Sequence, residues 1–189
     1  MADVSPTKLR ALDAAIDLVG SEGLRALTHA RVDARAGLPP GSTSNYFRTR
    51  AALLSGVVDR ILERELPGVG AAFSPASAAD FVQALCGLFE YTTTANRTLT
   101  TARLVLFMEA THNVGLREAL SRGRAAMKSS VEPVLAELGA SDPQGAADAI
   151  MACFEGLILH RIARDEETDP FPTFDLLVKA ALEHRPSGG

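Results

Sequence analysis

Gly41-Ser42-Thr43-Ser44-Asn45-Tyr46-Phe47-Arg48-Thr49-Arg50-Ala51-Ala52-Leu53-Leu54 is the stretch on which the reading of this chain turns. Successive helical residues are rotated by about 100°, so on a short helix over Ser42–Phe47 the side chains of Thr43 and Phe47 share one face. Ser42, Asn45 and Tyr46 share the opposite one. Phe47 is thereby placed to pack inward, and the outward face is polar with almost no charge. A solvated helix more often carries Glu and Lys on that face, whereas Ser, Asn and Tyr donate and accept hydrogen bonds of the kind found at base edges and phosphates. Thr49 reads as the N-cap of a fourth helix from Ala51 to about Leu66, with Leu53, Leu54, Val57, Val58, Ile61 and Leu62 on its apolar side.

Toward the N-terminus, Leu9, Leu12, Ile16 and Val19 recur at steps of three, four and three, one stripe on a first helix of about four turns that Gly23 closes. Thr28 caps a second, short helix, His29 to Ala36, ended by Gly37. Leu38-Pro39-Pro40-Gly41 joins it to the third, and Leu38, preceding proline, is biased away from helix. Three short helices with a glycine-containing turn between the second and third match the helix-turn-helix arrangement, though any three-helix bundle shows that spacing. The local charge sharpens the match. Between Arg25 and Arg50 stand five arginines (Arg25, Arg31, Arg35, Arg48, Arg50) and His29, against a single acid, Asp33. A solvated basic surface would give the same count, but Arg50 follows a helix cap, where outward backbone N–H groups also favour a phosphate.

Toward the C-terminus, Pro67-Gly68-Val69-Gly70 and Ser74-Pro75-Ala76-Ser77 form the expected boundary loop. Longer helices are expected at about Ala78 to Thr94, Arg97 to Thr111, Val114 to Leu138, Pro143 to Asp165 and Phe171 to Glu183, with Pro133 kinking or dividing the third of these. Strand-like alternation is absent. The fold class is therefore all-α, in two parts: three short helices with a connecting fourth, then a larger bundle.

Composition narrows the function. The chain has 189 residues, enough for an apolar core without staples. A net charge of -4, from 19 Lys plus Arg against 23 Asp plus Glu, excludes a uniformly basic protein that coats nucleic acid or an anionic membrane. Divided, residues 1–50 hold seven basic and five acidic residues, +2, and residues 51–189 hold twelve and eighteen, -6, so the acidity belongs to the bundle. Cys86 and Cys153 lie far apart among apolar neighbours and read as buried thiols, not as a disulfide or zinc site. Asp3, Asp13 and Asp17 interrupt the apolar run a signal peptide would need, and no membrane-length apolar run occurs, so the expected location is the cytoplasm. His29, His112, His160 and His184 are scattered, and neither a metal pair, nor a nucleophile turn, nor a phosphate loop is present; no enzyme, metal or cofactor is expected.

Leu27-Thr28 through Ala36-Gly37-Leu38, followed by Gly41 to Leu54, resembles the N-terminal signature of TetR-family transcriptional regulators. The likeness runs from about Leu9 to Leu62, and Phe154-Glu155-Gly156-Leu157-Ile158-Leu159-His160-Arg161 is similar to the family's penultimate helix. The resemblance implies a helix-turn-helix DNA-binding domain over residues 1–50, a connecting helix over 51–66, and a ligand-binding and dimerisation domain over 67–189. It implies that Thr28 and His29 meet the phosphate backbone, that Ser42, Ser44, Asn45 and Tyr46 lie in the major groove, and that Arg50 holds a phosphate; Arg31 and Arg48 join them from the basic cluster. Pro39 and Pro40 stand where many members have a capping serine and a Lys or Arg, and Ser44 replaces a frequent tyrosine.

A two-turn recognition helix reads few base pairs, so a homodimer on a pseudo-palindromic operator is expected. The last two helices supply its interface through Ile150, Phe154, Leu157, Ile158 and Ile162, with Phe171, Phe174, Leu176, Leu177, Val178, Ala181 and Leu182 nearby, shared with the monomer core. For a small, largely apolar effector the candidate lining is Leu85, Cys86, Phe89, Arg103, Phe107, Met108, Thr111, His112, Met151, Phe154 and Glu155, a set that could equally fill a core. The competing expectation is a small-molecule-binding or enzymatic helical bundle whose N-terminal three helices do not bind DNA.

Overall fold

Pro6 opens the first helix at a position where its missing N–H has no intrahelical acceptor to lose, and Gly23 ends it with φ 79° and its N–H 3.0 Å from the Val19 carbonyl. In the computed structural model, which describes residues 5–72 and 75–184, this helix is α1 (Pro6–Glu22), followed by α2 (His29–Ala36), α3 (Ser42–Tyr46), α4 (Arg50–Ala72), α5 (Ala78–Thr93), α6 (Arg97–Glu109), α7 (Val114–Glu137), α8 (Pro143–Ala163) and α9 (Phe171–Glu183). A 3₁₀ turn at Leu24–Ala26 precedes α2. No strand occurs among the described residues, and none of their helices is long and apolar enough to cross a membrane.

The caps act as the residue types dictate: Thr28 Oγ1 accepts from the Arg31 N–H, Thr49 Oγ1 from the Ala52 N–H, and Asp142 Oδ1 from the Gly145 N–H. One expectation fails. The Pro67-Gly68-Val69-Gly70 loop is instead the end of α4, which continues to Ala72; Ser74 lies outside the described residues. Proline and glycine lower helix propensity without forbidding the conformation, and a glycine ends a helix only when it turns left-handed. Pro133 lies inside α7, which runs on through it undivided.

The chain forms two compact units, and they do not follow one cut along the sequence. Residues 97–123 group with residues 1–65, and residues 124–189 with residues 66–96, so the division falls within α4 and again within α7. The first unit is built around Leu12, Ile16, Leu18, Val19, Val32, Phe47, Leu53, Val57, Ile61, Leu99 and Leu106. Its tightest approach is between α1 and α6. A Cβ added to Gly20 would sit 2.0 Å from the Thr98 carbonyl oxygen, so Gly20→Ala must push the two helices apart. An overpacked site of this kind costs about 1–3 kcal/mol, and a lowered melting temperature is the expected result. In the second unit Phe89, Phe154 and Phe174 form an aromatic cluster, with Phe154 and Phe174 stacked at 5.7 Å and Phe89 edge-on to both. Cys86 and Cys153 are free thiols, half-buried and not fully enclosed.

Candidate nucleic-acid interface

The pose of α3 is set by Asp33, which on the sequence counts only as one acid among arginines. Its carboxylate is 3% exposed and accepts three hydrogen bonds from the start of α3. Gly41 N–H donates at 2.8 Å to Oδ2, and Thr43 donates to Oδ1 from its N–H at 2.8 Å and its Oγ1 at 2.5 Å. Gly41, at φ 88°, brings its N–H round in a conformation that suits glycine. Burial alone would raise the Asp33 pKa, but the hydrogen bonds from Thr43 and Gly41 and the nearby His29 outweigh it and hold the carboxyl below its ordinary range. The sequence shows the need but not the residue that meets it: α3 has glycine where a capping side chain belongs, so its first N–H groups need an acceptor from elsewhere. The other end of α2 is tied down by Arg10, whose Nη2 donates to the Ala36 carbonyl at 2.7 Å.

With Thr43 buried and Phe47 buried against Gly56, the opposite face of α3 points to solvent. Ser44 and Asn45 are exposed, with no side-chain hydrogen bond among the described residues. Tyr46 is exposed, its hydroxyl 2.9 Å from Ser5 Oγ. Ser42 is half-buried and donates to the Pro39 carbonyl at 2.6 Å. His29 Nε2 lies 2.6 Å from the Phe47 carbonyl oxygen, which only accepts, so Nε2 carries the proton. Thr28 is exposed at the start of α2.

The arginines divide in a way the local count hides. Arg31 pairs with Glu22, and Arg35 with both Asp17 and Glu22, all on α1. Arg50 donates to the carbonyls of Leu27 and Leu24, holding the turn before α2. Arg25 and Arg48 are exposed and make no ion pair or side-chain hydrogen bond among the described residues. The excess of base over acid between Arg25 and Arg50 is thus partly neutralised by acids earlier in the chain. Grouped by compact unit, however, residues 1–65 with 97–123 carry 13 Lys plus Arg against 10 Asp plus Glu, +3, and the remainder carries 6 against 13, -7.

The candidate effector residues fall into both units. Phe107 and Met108 are 57% and 65% exposed, and Thr111 and His112 are exposed beside them, all in the first unit. Arg103, also there, lies with its Nε 3.3 Å from Glu65 Oε1; burial pushes the Glu65 carboxyl up, against Arg103 and Arg64, and Glu65 Oε2 has no hydrogen-bond partner. Leu85, Cys86, Phe89, Met151, Phe154 and Glu155 belong to the second unit, where Leu85, Phe89 and Met151 are core residues and Glu155 pairs with Arg124 at 3.3 Å. Of the eleven candidates Phe89 lines a cavity within the second unit, together with Cys153, Leu157, His160 and Arg161, which the sequence did not single out for it. Among the described residues no group of three or more His, Cys, Asp and Glu could hold a metal ion.

A model of the tetracyclin repressor-like C-terminal domain matches residues 76–184, more than half of the chain. No curated protein sequence matches. Among solved structures the chain is similar to a transcriptional regulator from Rhodococcus sp. RHA1, with 17% identity over 95% of this chain and 97% of that one and a TM-score of 0.81. It is also similar to a TetR-family member from Streptomyces coelicolor A3, at 24% identity over 94% and 99% with a TM-score of 0.73. The multidrug binding protein EbrR, solved with ethidium, is 26% identical over 94% and 99%, with a TM-score of 0.72.

Proposed function

The chain belongs to the TetR family of transcriptional regulators, and from that premise we propose that it is a homodimeric repressor that reads a pseudo-palindromic operator with α3 and is released by a small, largely apolar effector. The observation that carries the reading is the face of α3: Ser44 and Asn45 are exposed and unengaged on a helix whose opposite face Asp33 and Phe47 anchor. Bases need donors and acceptors that are free to turn to them, held on a support that does not move. Of the five arginines between Arg25 and Arg50, Arg25 and Arg48 are the ones with no ion pair or side-chain hydrogen bond among the described residues, and so are open to phosphates; Thr28, His29 and Arg31 lie at the start of α2, and Arg50 braces the turn before it. The head is residues 1–50 with the connecting helix 51–66, and residues 67–189 supply effector binding and dimerisation. No catalytic step is assigned, and the place of action is the cytoplasm.

Release requires an effector that binds one dimer geometry better than the other. The close packing of α6 on α1 at Thr98 and Gly20 supports a route by which movement of α6 reaches the reading head. EbrR, which holds ethidium, supports a small organic molecule as effector. Selection of bound sequences from a random DNA library tests the reading: an inverted repeat is the expected product. No enrichment even at low salt would leave the competing small-molecule-binding bundle. Arg48→Ala is expected to weaken binding to all sequences alike and to lower the salt slope by about one for each phosphate no longer neutralised.

The dimer reading is supported by apolar residues that the second unit leaves in solvent. Ile150, Ile158, Phe174 and Val178 of the expected stripes are buried in the core, but Leu159, Phe171 and Leu176 are 50%, 40% and 71% exposed. Leu159→Asp combined with Leu176→Asp is expected to give a monomer by light scattering and to abolish operator binding, with helical content retained.

A further inference from the structure

The connection between α8 and α9 borders a half-open cavity of about 290 Å³ in the second unit. Its walls are apolar: Phe89 from α5, and Cys153, Gly156 and Leu157 from α8. Burial pushes the Cys153 thiol up, so it stays protonated and serves as part of that wall. A Cβ at Gly156 would meet nothing within 4 Å, so the glycine leaves room for an occupant. Two charged groups on the rim differ in how they are satisfied. Glu166 has His160 Nδ1 at 3.3 Å and Arg164 Nη1 at 3.5 Å, so its charge is answered. Arg161 lies over the Phe89 ring at 5.3 Å and donates from Nη2 to the Thr168 carbonyl at 3.0 Å, but its Nε–H is buried without an acceptor. No carboxylate of the described residues lies within ion-pair distance of Arg161. A half-buried guanidinium whose Nε–H lacks an acceptor is costly, and the group that suits a guanidinium edge best is a carboxylate.

We propose that this cavity binds a compact monocyclic carboxylate, its carboxylate on the Arg161 guanidinium and its ring against Phe89 and Leu157. The volume lies at the lower end for small-molecule sites, which fits one ring and a short acid arm. The binding stands on the cavity and Arg161; only its consequence for DNA rests on the regulator reading. The test uses the full chain with two probes of one shape, 3-phenylpropionate and its neutral amide 3-phenylpropanamide, followed by titration calorimetry. The wild-type protein is expected to bind the carboxylate at least about tenfold more tightly than the amide. Arg161→Met is expected to erase that preference, Arg161→Lys to keep part of it, and Gly156→Leu to block both probes while the melting temperature and elution volume stay near those of the wild type. Absence of binding by either probe at millimolar concentration, equal binding of the two, or an unchanged preference in Arg161→Met overturns the proposal; the wild-type comparison decides even where Arg161→Met does not fold. The same carboxylate added to operator-bound protein separates the two readings: calorimetric binding without release keeps the site and counts against effector release through it.

Discussion

Asp33→Ala is expected to abolish operator binding and to destabilise the first unit by about 3 kcal/mol or more. The substitution leaves the N–H groups of Gly41 and Thr43 and the Thr43 hydroxyl, which now share one carboxylate, without an acceptor, and Thr43 is fully buried. Each unsatisfied buried donor costs about 1–3 kcal/mol. The helix that carries the polar face then loses its anchor, so both melting and DNA binding respond. Acid provides an independent measurement. The folded carboxyl titrates below its ordinary range, so the unfolded chain binds the proton first. The stabilisation is therefore complete above the unfolded value of about 3.9 and is lost as pH falls through the lower folded value. Asp33→Asn, which does not titrate, is expected to melt at a lower temperature near neutral pH and to show a flatter dependence below about pH 4. A wild-type profile as flat as that of Asp33→Asn would contradict the role given to Asp33.

Asn45→Ala is expected to leave folding unchanged and to remove sequence-specific binding. The side chain is exposed and makes no hydrogen bond among the described residues, so its deletion costs the fold nearly nothing. Removing a base-edge hydrogen-bonding pair from each of two reading heads costs about 2–6 kcal/mol, a drop of roughly 30-fold to 20,000-fold in operator affinity. Binding to unrelated DNA, which rests on the phosphates, is expected to change little, so the ratio of specific to non-specific affinity is the quantity to measure. The opposite pattern, a melting temperature that falls with the specificity ratio intact, would place Asn45 in the fold and remove it from the interface.

These two residues mark how far the sequence could be read. Asn45 was legible because a helix over Ser42–Tyr46 has only two sides, and Thr43 and Phe47 claim one of them. The boundaries of α2 and the caps Thr28 and Thr49 were legible for the same local reason, since a cap bonds to N–H groups two or three residues away. Asp33 was not, because its partners lie on another helix, and nothing local separates an acid that will be buried from one that will be solvated. The ion pairs of the arginines were hidden on the same ground. Counting between Arg25 and Arg50 omits Asp17 and Glu22, which the packing of α1 brings to Arg35 and Arg31. Which apolar residues border an opening was least legible, because apolar side chains at helical spacing look alike whether they fill a core or line a cavity.

What the sequence determined by itself, then, is what depends on neighbours within a turn or two: the helical class, most helix boundaries, the caps, and which side of α3 faces out. The tertiary structure decided which charges are already spent, that residues 97–123 pack with the reading head and not with the helices around them in sequence, and where an opening remains beside Arg161. The physical reason is the range of the forces. Dihedral preference and capping are settled by a few adjacent residues, whereas burial, ion pairing and empty space are properties of surfaces that meet only once the chain has closed on itself.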